Sequence, residues 1–247
     1  MQKSSILGLV SGIALATLGT ASAVQAAIVT VPTGLNPGDK YRLVFVTSSG
    51  RDATSTNIAD YNTFVTNAVV GSALQSSLTA NGLAPTWTAI GSTSSVNATT
   101  NTLTDPVVNA STSVPIYLID GNKVATGYSD LWDNSILVPI NRTELDTALA
   151  ADNFVWTGSN ASGVVAENPL GSPTVVTIGR PTVIGQSWIR INNLGPTSVS
   201  RSIYGMSSVL TVPGGAQSQS VPEPSSLLGY ITLGSLMLGG AIRRAKK

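Results

Sequence analysis

The chain has 247 residues, of which 10% are charged, and it contains no cysteine and no histidine. Without cysteine there are no disulfides, thiolate zinc sites or cysteine nucleophiles, and without histidine the commonest general base and metal ligand is missing. These absences exclude Ser-His-Asp hydrolases, zinc proteases and cysteine proteases.

The net charge of +1 hides an uneven distribution, because four of the basic residues lie in the last five positions. Residues 27–214 hold eleven acidic and eight basic residues, a net charge of −3, with no basic run. Binding to nucleic acid requires a clustered basic footprint. We therefore expect no nucleic-acid partner.

The N-terminus has the pattern of a secretory signal peptide. Lys3 precedes a short apolar stretch at 6–18, and small residues follow up to Ala23 and Ala26. A positive start, a short apolar region and a small-x-Ala site predict export and cleavage after Ala23 or Ala26. The alternative is an amphipathic or buried first helix. We assign residues 1–26 to the signal peptide and 27–213 to an exported globular domain.

The first third of this domain predicts one strand and two helices. Residues 41–47 are β-branched and aromatic, and a turn precedes them, as expected of a strand. A helix is predicted next from apolar residues at three- and four-residue spacing. These residues are Ile58, Tyr61, Val65 and Ala68. A second helix is predicted over 72–79, ending at Asn81-Gly82.

After Gly82 the helical period fades and short strand-like runs alternate with turn residues. The predicted strands are 86–90, 115–119, 154–157, 187–191 and 207–212. One further short helix is predicted over 143–151. Two early helices followed by a mainly antiparallel, short-stranded sheet predict one α+β domain, with a β-sandwich as the alternative.

The order of these features is similar to the C-type-lectin-like fold, particularly its endostatin-like branch. The similarity covers roughly residues 40 to 212, and a late strand over 209–212 would close the sheet. The disulfides usual in that fold are absent. A sugar-binding C-type lectin would carry a Glu-Pro-Asn loop, whereas this chain has Glu167-Asn168-Pro169, so the family's calcium site does not transfer.

A loop-rich stretch contains the acidic residues Asp120, Asp130 and Asp133. Oxygen ligands from such a loop can hold calcium, although no EF-hand spacing is present and solvated turn residues are the alternative. We assign no metal site and no cofactor from the sequence.

Four tryptophans, at positions 87, 132, 156 and 188, are candidates for stacking against a polysaccharide. Trp132 lies between Asp130 and Asp133, so these three residues are the candidate ligand-binding set. The alternative is that a domain so poor in aromatic residues uses its tryptophans in the core.

Paired carboxylates without histidine can hydrolyse glycosides. Asp130 with Asp133, or Glu144 with Asp146, would supply such a pair. Neither pair lies in a known motif, and a glutamate at position 144 is also favoured in the first turn of a helix. We therefore predict that the protein is not an enzyme.

The C-terminus combines a polar linker at 214–220, a proline-rich motif, an apolar run of 16 residues at 227–242 and a basic tail at 243–247. The motif is Val221, Pro222, Glu223 and Pro224. The bases of the tail are Arg243, Arg244, Lys246 and Lys247. The apolar run is short of the roughly 20 residues of a typical span, but it predicts a single transmembrane helix with its basic end in the cytoplasm.

Residues 221–247 resemble the PEP-CTERM sorting signal, since motif, apolar helix and basic tail occur in order at the terminus. The resemblance implies an exosortase-type sorting enzyme as a partner. It also implies anchorage in the inner membrane, followed by display on the cell surface or in the extracellular matrix of a Gram-negative-type bacterium. The alternative is a permanent anchor behind a proline-stiffened linker.

Export without catalytic residues suggests a surface or matrix protein that binds extracellular polysaccharide. A structural coat component and a carboxylate-based glycoside hydrolase are the alternatives.

Overall fold

Strand β1 (Lys40–Val46) is the central element of the fold, and all of its residues except Lys40 are buried. Its side chains alternate between two apolar clusters, as the two-residue period of a strand requires. Leu43 and Phe45 face one cluster, which we call the first cluster. Val44 and Val46 face the other, which we call the second cluster. A strand buried on both faces reads as a continuous apolar run, which explains why it could be predicted.

The computed structural model describes residues 28–191 and 194–214. Eight further strands follow β1: β2 Trp87–Ala89, β3 Ile116–Leu118, β4 Lys123–Ala125, β5 Val155–Trp156, β6 Val175–Gly179, β7 Leu194–Pro196, β8 Ser202–Ser207 and β9 Leu210–Thr211. The α-helices are α1 Ile58–Val69, α2 Ala73–Ala80, α3 Ala98–Asn101 and α4 Tyr128–Leu131. Two 3₁₀ turns cover Ala110–Thr112 and Gln186–Trp188.

The nine strands form one mixed sheet in the order β4-β3-β1-β8-β5-β6-β7, with β2 beside β8 and β9 beside β1. Among the described residues, six of the eight strand pairings are antiparallel; β1–β3 and β5–β8 are parallel. The predicted α+β class is confirmed.

Both predicted early helices are confirmed, and side chains cap them. The Asn57 side chain accepts a hydrogen bond from the Ala59 amide, and the Ser72 hydroxyl accepts one from the Gln75 amide. Such caps satisfy amides that have no partner within the helix. Helix α1 buries its apolar stripe against β2 and β8 and thereby covers the first cluster.

The predicted strand over 187–191 is wrong. Its first residues form the 3₁₀ turn, in which the Trp188 amide donates to the Gly185 carbonyl at 2.8 Å. The apolar side chains of Trp188 and Ile189 are buried in the second cluster, so the apolar run reflects burial rather than a strand. A short buried run cannot be assigned to strand or turn from its periodicity alone.

The predicted helix over 143–151 is also wrong, because a tight turn occupies these residues. The Thr143 amide donates to the Thr147 carbonyl at 2.9 Å, and the two threonine hydroxyls lie 2.6 Å apart. Asp146 has φ of +64°, which is incompatible with a right-handed helix. Threonine and aspartate side chains often bond the local backbone in this way.

Strand β9 pairs with the beginning of β1, where Lys40 lies opposite Thr211. The Val212 amide then donates to the Asp39 carbonyl at 2.9 Å, so the last described residues leave the sheet beside the start of β1.

No helix among residues 28–191 and 194–214 is long and apolar enough to cross a membrane. The predicted signal peptide at 1–26, sorting motif at 221–224, transmembrane helix at 227–242 and basic tail at 243–247 lie outside the described residues, as does the predicted linker beyond Gly214.

Candidate ligand-binding cleft

A row of side chains crosses three neighbouring strands where they begin or end. Val155 of β5 pairs with Ser202 of β8 on one side and with Gly179 of β6 on the other. Phe154 precedes Val155, Arg201 precedes Ser202 and Arg180 follows Gly179. The same register therefore places Phe154 between Arg201 and Arg180. Residues in register point to the same face of a sheet.

Arg51 lies next to Arg201 and extends the row. Two backbone hydrogen bonds link these residues: the Arg51 amide donates to the Arg201 carbonyl at 3.0 Å, and the reverse bond is 2.9 Å. Four side chains, Arg180, Phe154, Arg201 and Arg51, therefore form what we call the arginine row.

Aromatic rings contact all three of these guanidinium groups, and the guanidinium carbon of Arg51 lies 4.3 Å from the Tyr61 ring centroid. The guanidinium carbon of Arg180 lies 5.2 Å from the Phe154 ring centroid. That of Arg201 lies 5.3 Å from the Phe154 centroid and 5.2 Å from the Trp156 centroid. Such cation–π contacts orient the guanidinium plane without using its N–H donors.

The charges of Arg180 and Arg201 are not compensated within the described residues, where neither side chain has an ion-pair or hydrogen-bond partner. Arg51 differs, because Asp52 lies 3.7 Å away. Burial lowers the pKa of Arg201, since desolvation penalises the cation, but a guanidinium stays charged at physiological pH. The row is therefore locally positive in an acidic domain.

A polar cleft of about 250 Å³ opens beside the row. It is lined by Ser48, Gly50, Asp152, Asn153, Phe154, Ser200, Arg201 and Ser202. Hydroxyl, amide, carboxylate and guanidinium groups thus supply both donors and acceptors around one aromatic ring. Its volume lies just below the roughly 300 Å³ at which pockets for drug-sized ligands begin, which suits a small polar group such as one sugar unit.

A buried carboxylate fixes one lip of the cleft. Glu144 is only 3% exposed and accepts hydrogen bonds from the Ser48 amide, at 2.9 Å, and from the Ser48 hydroxyl. Charge-assisted bonds of this kind are stronger than neutral ones. The lip is therefore held in place before any ligand binds. Glu144 positions Ser48, whereas the sequence suggested that it lies in the first turn of a helix.

The structure does not offer Trp132 as a stacking surface. Its side chain is 6% exposed, and its indole N–H donates to the carbonyl and the hydroxyl of Thr104, at 3.1 and 3.0 Å. The Trp188 ring packs 5.9 Å away. All four tryptophans are buried, so the alternative that the domain uses its tryptophans in the core is confirmed.

The aspartates of the predicted ligand-binding set accept hydrogen bonds from residues close to them in the sequence. Asp130 accepts bonds from the Thr126 amide and hydroxyl, and Asp133 accepts bonds from the amide and hydroxyl of Ser135. Asp120 forms an ion pair with Arg142 at 3.7 Å. Within residues 28–191 and 194–214, no three acidic side chains come together as a metal site would require.

A second depression, of about 220 Å³, lies between α1, α2 and β2. Its walls are mainly apolar, with Val69, Leu78 and Trp87 among them. It lacks the convergent charged groups of the first cleft.

The sequence does not reveal the cleft, because its parts lie far apart along the chain and each arginine is isolated. No protein family model matches this chain, and no curated protein matches its sequence. The function is therefore argued from the chemistry of the cleft.

Proposed function

We propose that this chain is an exported, non-catalytic surface protein that binds extracellular polysaccharide in the cleft beside Arg201. The observation that carries this proposal is the lining of the cleft, where side-chain donors and acceptors surround the half-buried ring of Phe154. Sugars present hydroxyl groups that both donate and accept hydrogen bonds, which matches the mainly polar lining of the cleft.

The arrangement of the sheet supports a C-type-lectin-like fold. The last strand, β9, pairs antiparallel with the first, and α1 and α2 follow β1 directly along the chain. In this proposal the calcium site of sugar-binding lectins is replaced by guanidinium and hydroxyl groups.

A binding role is favoured over hydrolysis by the number of acids at the cleft. A glycosidase requires two carboxyl groups that flank the scissile bond. Asp152 is the only carboxylate among the described lining residues. The pairs suggested by the sequence, Asp130 with Asp133 and Glu144 with Asp146, do not line it.

A structural coat component is the second candidate, and an exposed apolar loop favours it. Val107 and Val108 are 83% and 79% exposed, and Leu103 is 61% exposed. Apolar side chains grouped on a loop are a common basis for self-association. In this case the purified protein would assemble without any polymer.

The proposed route to the surface rests on the two ends of the sequence. A signal peptide at 1–26 would export the chain, and the PEP-CTERM-like segment at 221–247 would hold it in the inner membrane for an exosortase-type enzyme. Intact-mass analysis of the protein from the envelope and medium of its host tests this route. We expect the residues that follow the Val221 to Pro224 motif to be missing. A mass that retains Lys247 in the inner membrane would leave a simple membrane anchor.

Polysaccharide binding is tested with the full-length chain, purified in mild detergent and passed over immobilised dextran, polygalacturonate and dextran sulfate. We expect retention by at least one polymer. Replacing Asn153 with alanine removes an amide from the cleft and should weaken retention about 3- to 10-fold, the effect of losing about one hydrogen bond. The matched control is Asn122→Ala, an exposed amide at the turn between β3 and β4. Failure of all three polymers to retain the chain would contradict the proposal.

A further inference from the structure

We infer that the polysaccharide is acidic, and that Arg180 and Arg201 bind its carboxylate or sulfate groups. The inference rests on the polysaccharide-binding function proposed above and specifies the chemical class of the ligand.

The first argument concerns charge compensation. A partly buried guanidinium loses hydration; cation–π contacts offset part of this cost, and an anion or further acceptors would offset more of it. Within the described residues Arg180 and Arg201 have neither, and the Nε atom of each is buried without a partner. An oxyanion from a ligand would supply acceptors to the terminal N–H groups of each guanidinium through charge-assisted hydrogen bonds.

The second argument concerns where the positive charge lies. Residues 27–214 carry a net charge of −3, so the domain as a whole does not attract polyanions. Three of its eight basic residues nevertheless lie together in the arginine row: Arg51, Arg180 and Arg201. Arg142 pairs with Asp120, and Arg42 is bound by the Thr102 and Ser207 carbonyls. Arg180 and Arg201, two of the basic residues without an ion-pair partner in the described part of the chain, therefore lie close together beside the cleft.

The third argument is geometric. The guanidinium carbons of Arg180 and Arg201 lie 5.2 and 5.3 Å from the same ring centroid, that of Phe154, so they are at most 10.5 Å apart. Contact with the ring restricts both side chains before a ligand binds, which lowers the entropy lost on binding. A guanidinium fork matches the two oxygens of a carboxylate or sulfate group. Two such forks can bind acidic groups on one sugar unit or on neighbouring units.

The cleft beside the row provides the rest of the recognition. Ser48, Ser200, Ser202 and Asn153 offer neutral donors and acceptors for sugar hydroxyls. The carboxylate of Asp152, at the same cleft, can accept a hydrogen bond from a sugar hydroxyl but repels an acidic group of the ligand. The acidic group of the ligand should therefore lie on the Arg180–Arg201 side.

The experiment measures apparent affinity of the full-length chain in mild detergent for dextran, polygalacturonate and dextran sulfate, which are neutral, carboxylated and sulfated. Variants Arg180→Gln and Arg201→Gln each remove one charge from the arginine row. Lys123→Gln removes one exposed charge on β4, at the opposite edge of the sheet. Because Arg201 also packs on Trp156, thermal unfolding of each variant is measured, and Arg201→Lys serves as a second variant that retains the charge but not the fork.

We expect at least one acidic polymer to bind 10-fold or more tightly than dextran. Each Arg→Gln change should weaken acidic binding at least 10-fold, Arg201→Lys should weaken it less, and Lys123→Gln should change it less than 2-fold. A preference for polygalacturonate would identify carboxylate as the ligand group, and a preference for dextran sulfate would identify sulfate.

Two results would overturn the inference. Equal binding of dextran and both acidic polymers, unchanged by the arginine variants, would refute acidic selectivity while leaving polysaccharide binding intact. Equal losses in Lys123→Gln and in the two Arg→Gln variants would show attraction to net charge alone. Binding to no polymer would instead contradict the proposed function itself.

Discussion

Replacing Gly158 with valine is expected to lower the free energy of unfolding by about 4 kcal/mol, from backbone strain and overpacking together. Gly158 has φ of +59°, a conformation that a β-branched residue adopts only with strain. A side chain there would also collide with the Ser92 carbonyl oxygen and lie 2.5 Å from the Leu170 nitrogen. Because both obstacles are backbone atoms, a change of rotamer cannot relieve them.

The matched control for this change is Gly185→Val. Gly185 has φ of −75°, which valine adopts readily, and no atom lies within 4 Å of the position that a new Cβ would occupy. Its stability should change by less than about 0.5 kcal/mol, as at ordinary surface sites. Denaturant unfolding followed by tryptophan fluorescence measures both variants. Equal stabilities would mean that the loops of Ser92, Gly158 and Leu170 do not pack as described.

Replacing Trp132 with alanine is expected to lower the free energy of unfolding by about 3–5 kcal/mol, the range for removing a buried tryptophan. The ring contacts Trp188, and a Cβ added at Gly163 would lie 2.6 Å from it, so the Gly163 backbone covers part of the ring. The Thr104 hydroxyl and carbonyl would also lose their bonds to the indole N–H.

Two further variants separate packing from ligand binding. Trp132→Phe retains most of the ring but not the N–H, and it should cost less than the alanine variant. Leu137→Ala, at a side chain 52% exposed, should be nearly neutral. Under conditions where every variant is folded, polysaccharide retention should be unchanged by either Trp132 substitution. A selective loss of retention without loss of stability would restore the role in ligand binding that the sequence suggested for Trp132.

The elements that the sequence predicts well are those with a long local pattern. Strand β1 has seven residues, and α1 shows its apolar spacing over twelve residues behind an asparagine cap. Strands β5 and β9 have two residues each, and only their pairing partners define where they begin and end. The sequence located both regions but predicted longer strands, because apolar residues such as Phe154 and Val212 flank the two-residue strands.

The candidate cleft shows the limit of such reasoning more clearly. Trp132, Asp130 and Asp133 attract attention because they are adjacent in sequence, yet each is used locally. Arg180, Phe154 and Arg201 are 21 or more residues apart, and strand register alone brings them together. Register depends on the whole sheet, so no spacing of residues within a short segment predicts the arginine row.

The two ends of β1 have different surroundings, and this difference bears on how the protein would work when tethered. The chain leaves the sheet at the Lys40 end, whereas Ser48 and Gly50 at the cleft follow directly after Val46. Seven residues of strand separate these ends by about 20 Å. If the domain is held through its C-terminus as proposed, the tether would begin at the opposite end of β1 from the cleft. Under the proposed function, one long polymer would bind several neighbouring copies of the protein, so that weak single contacts add up.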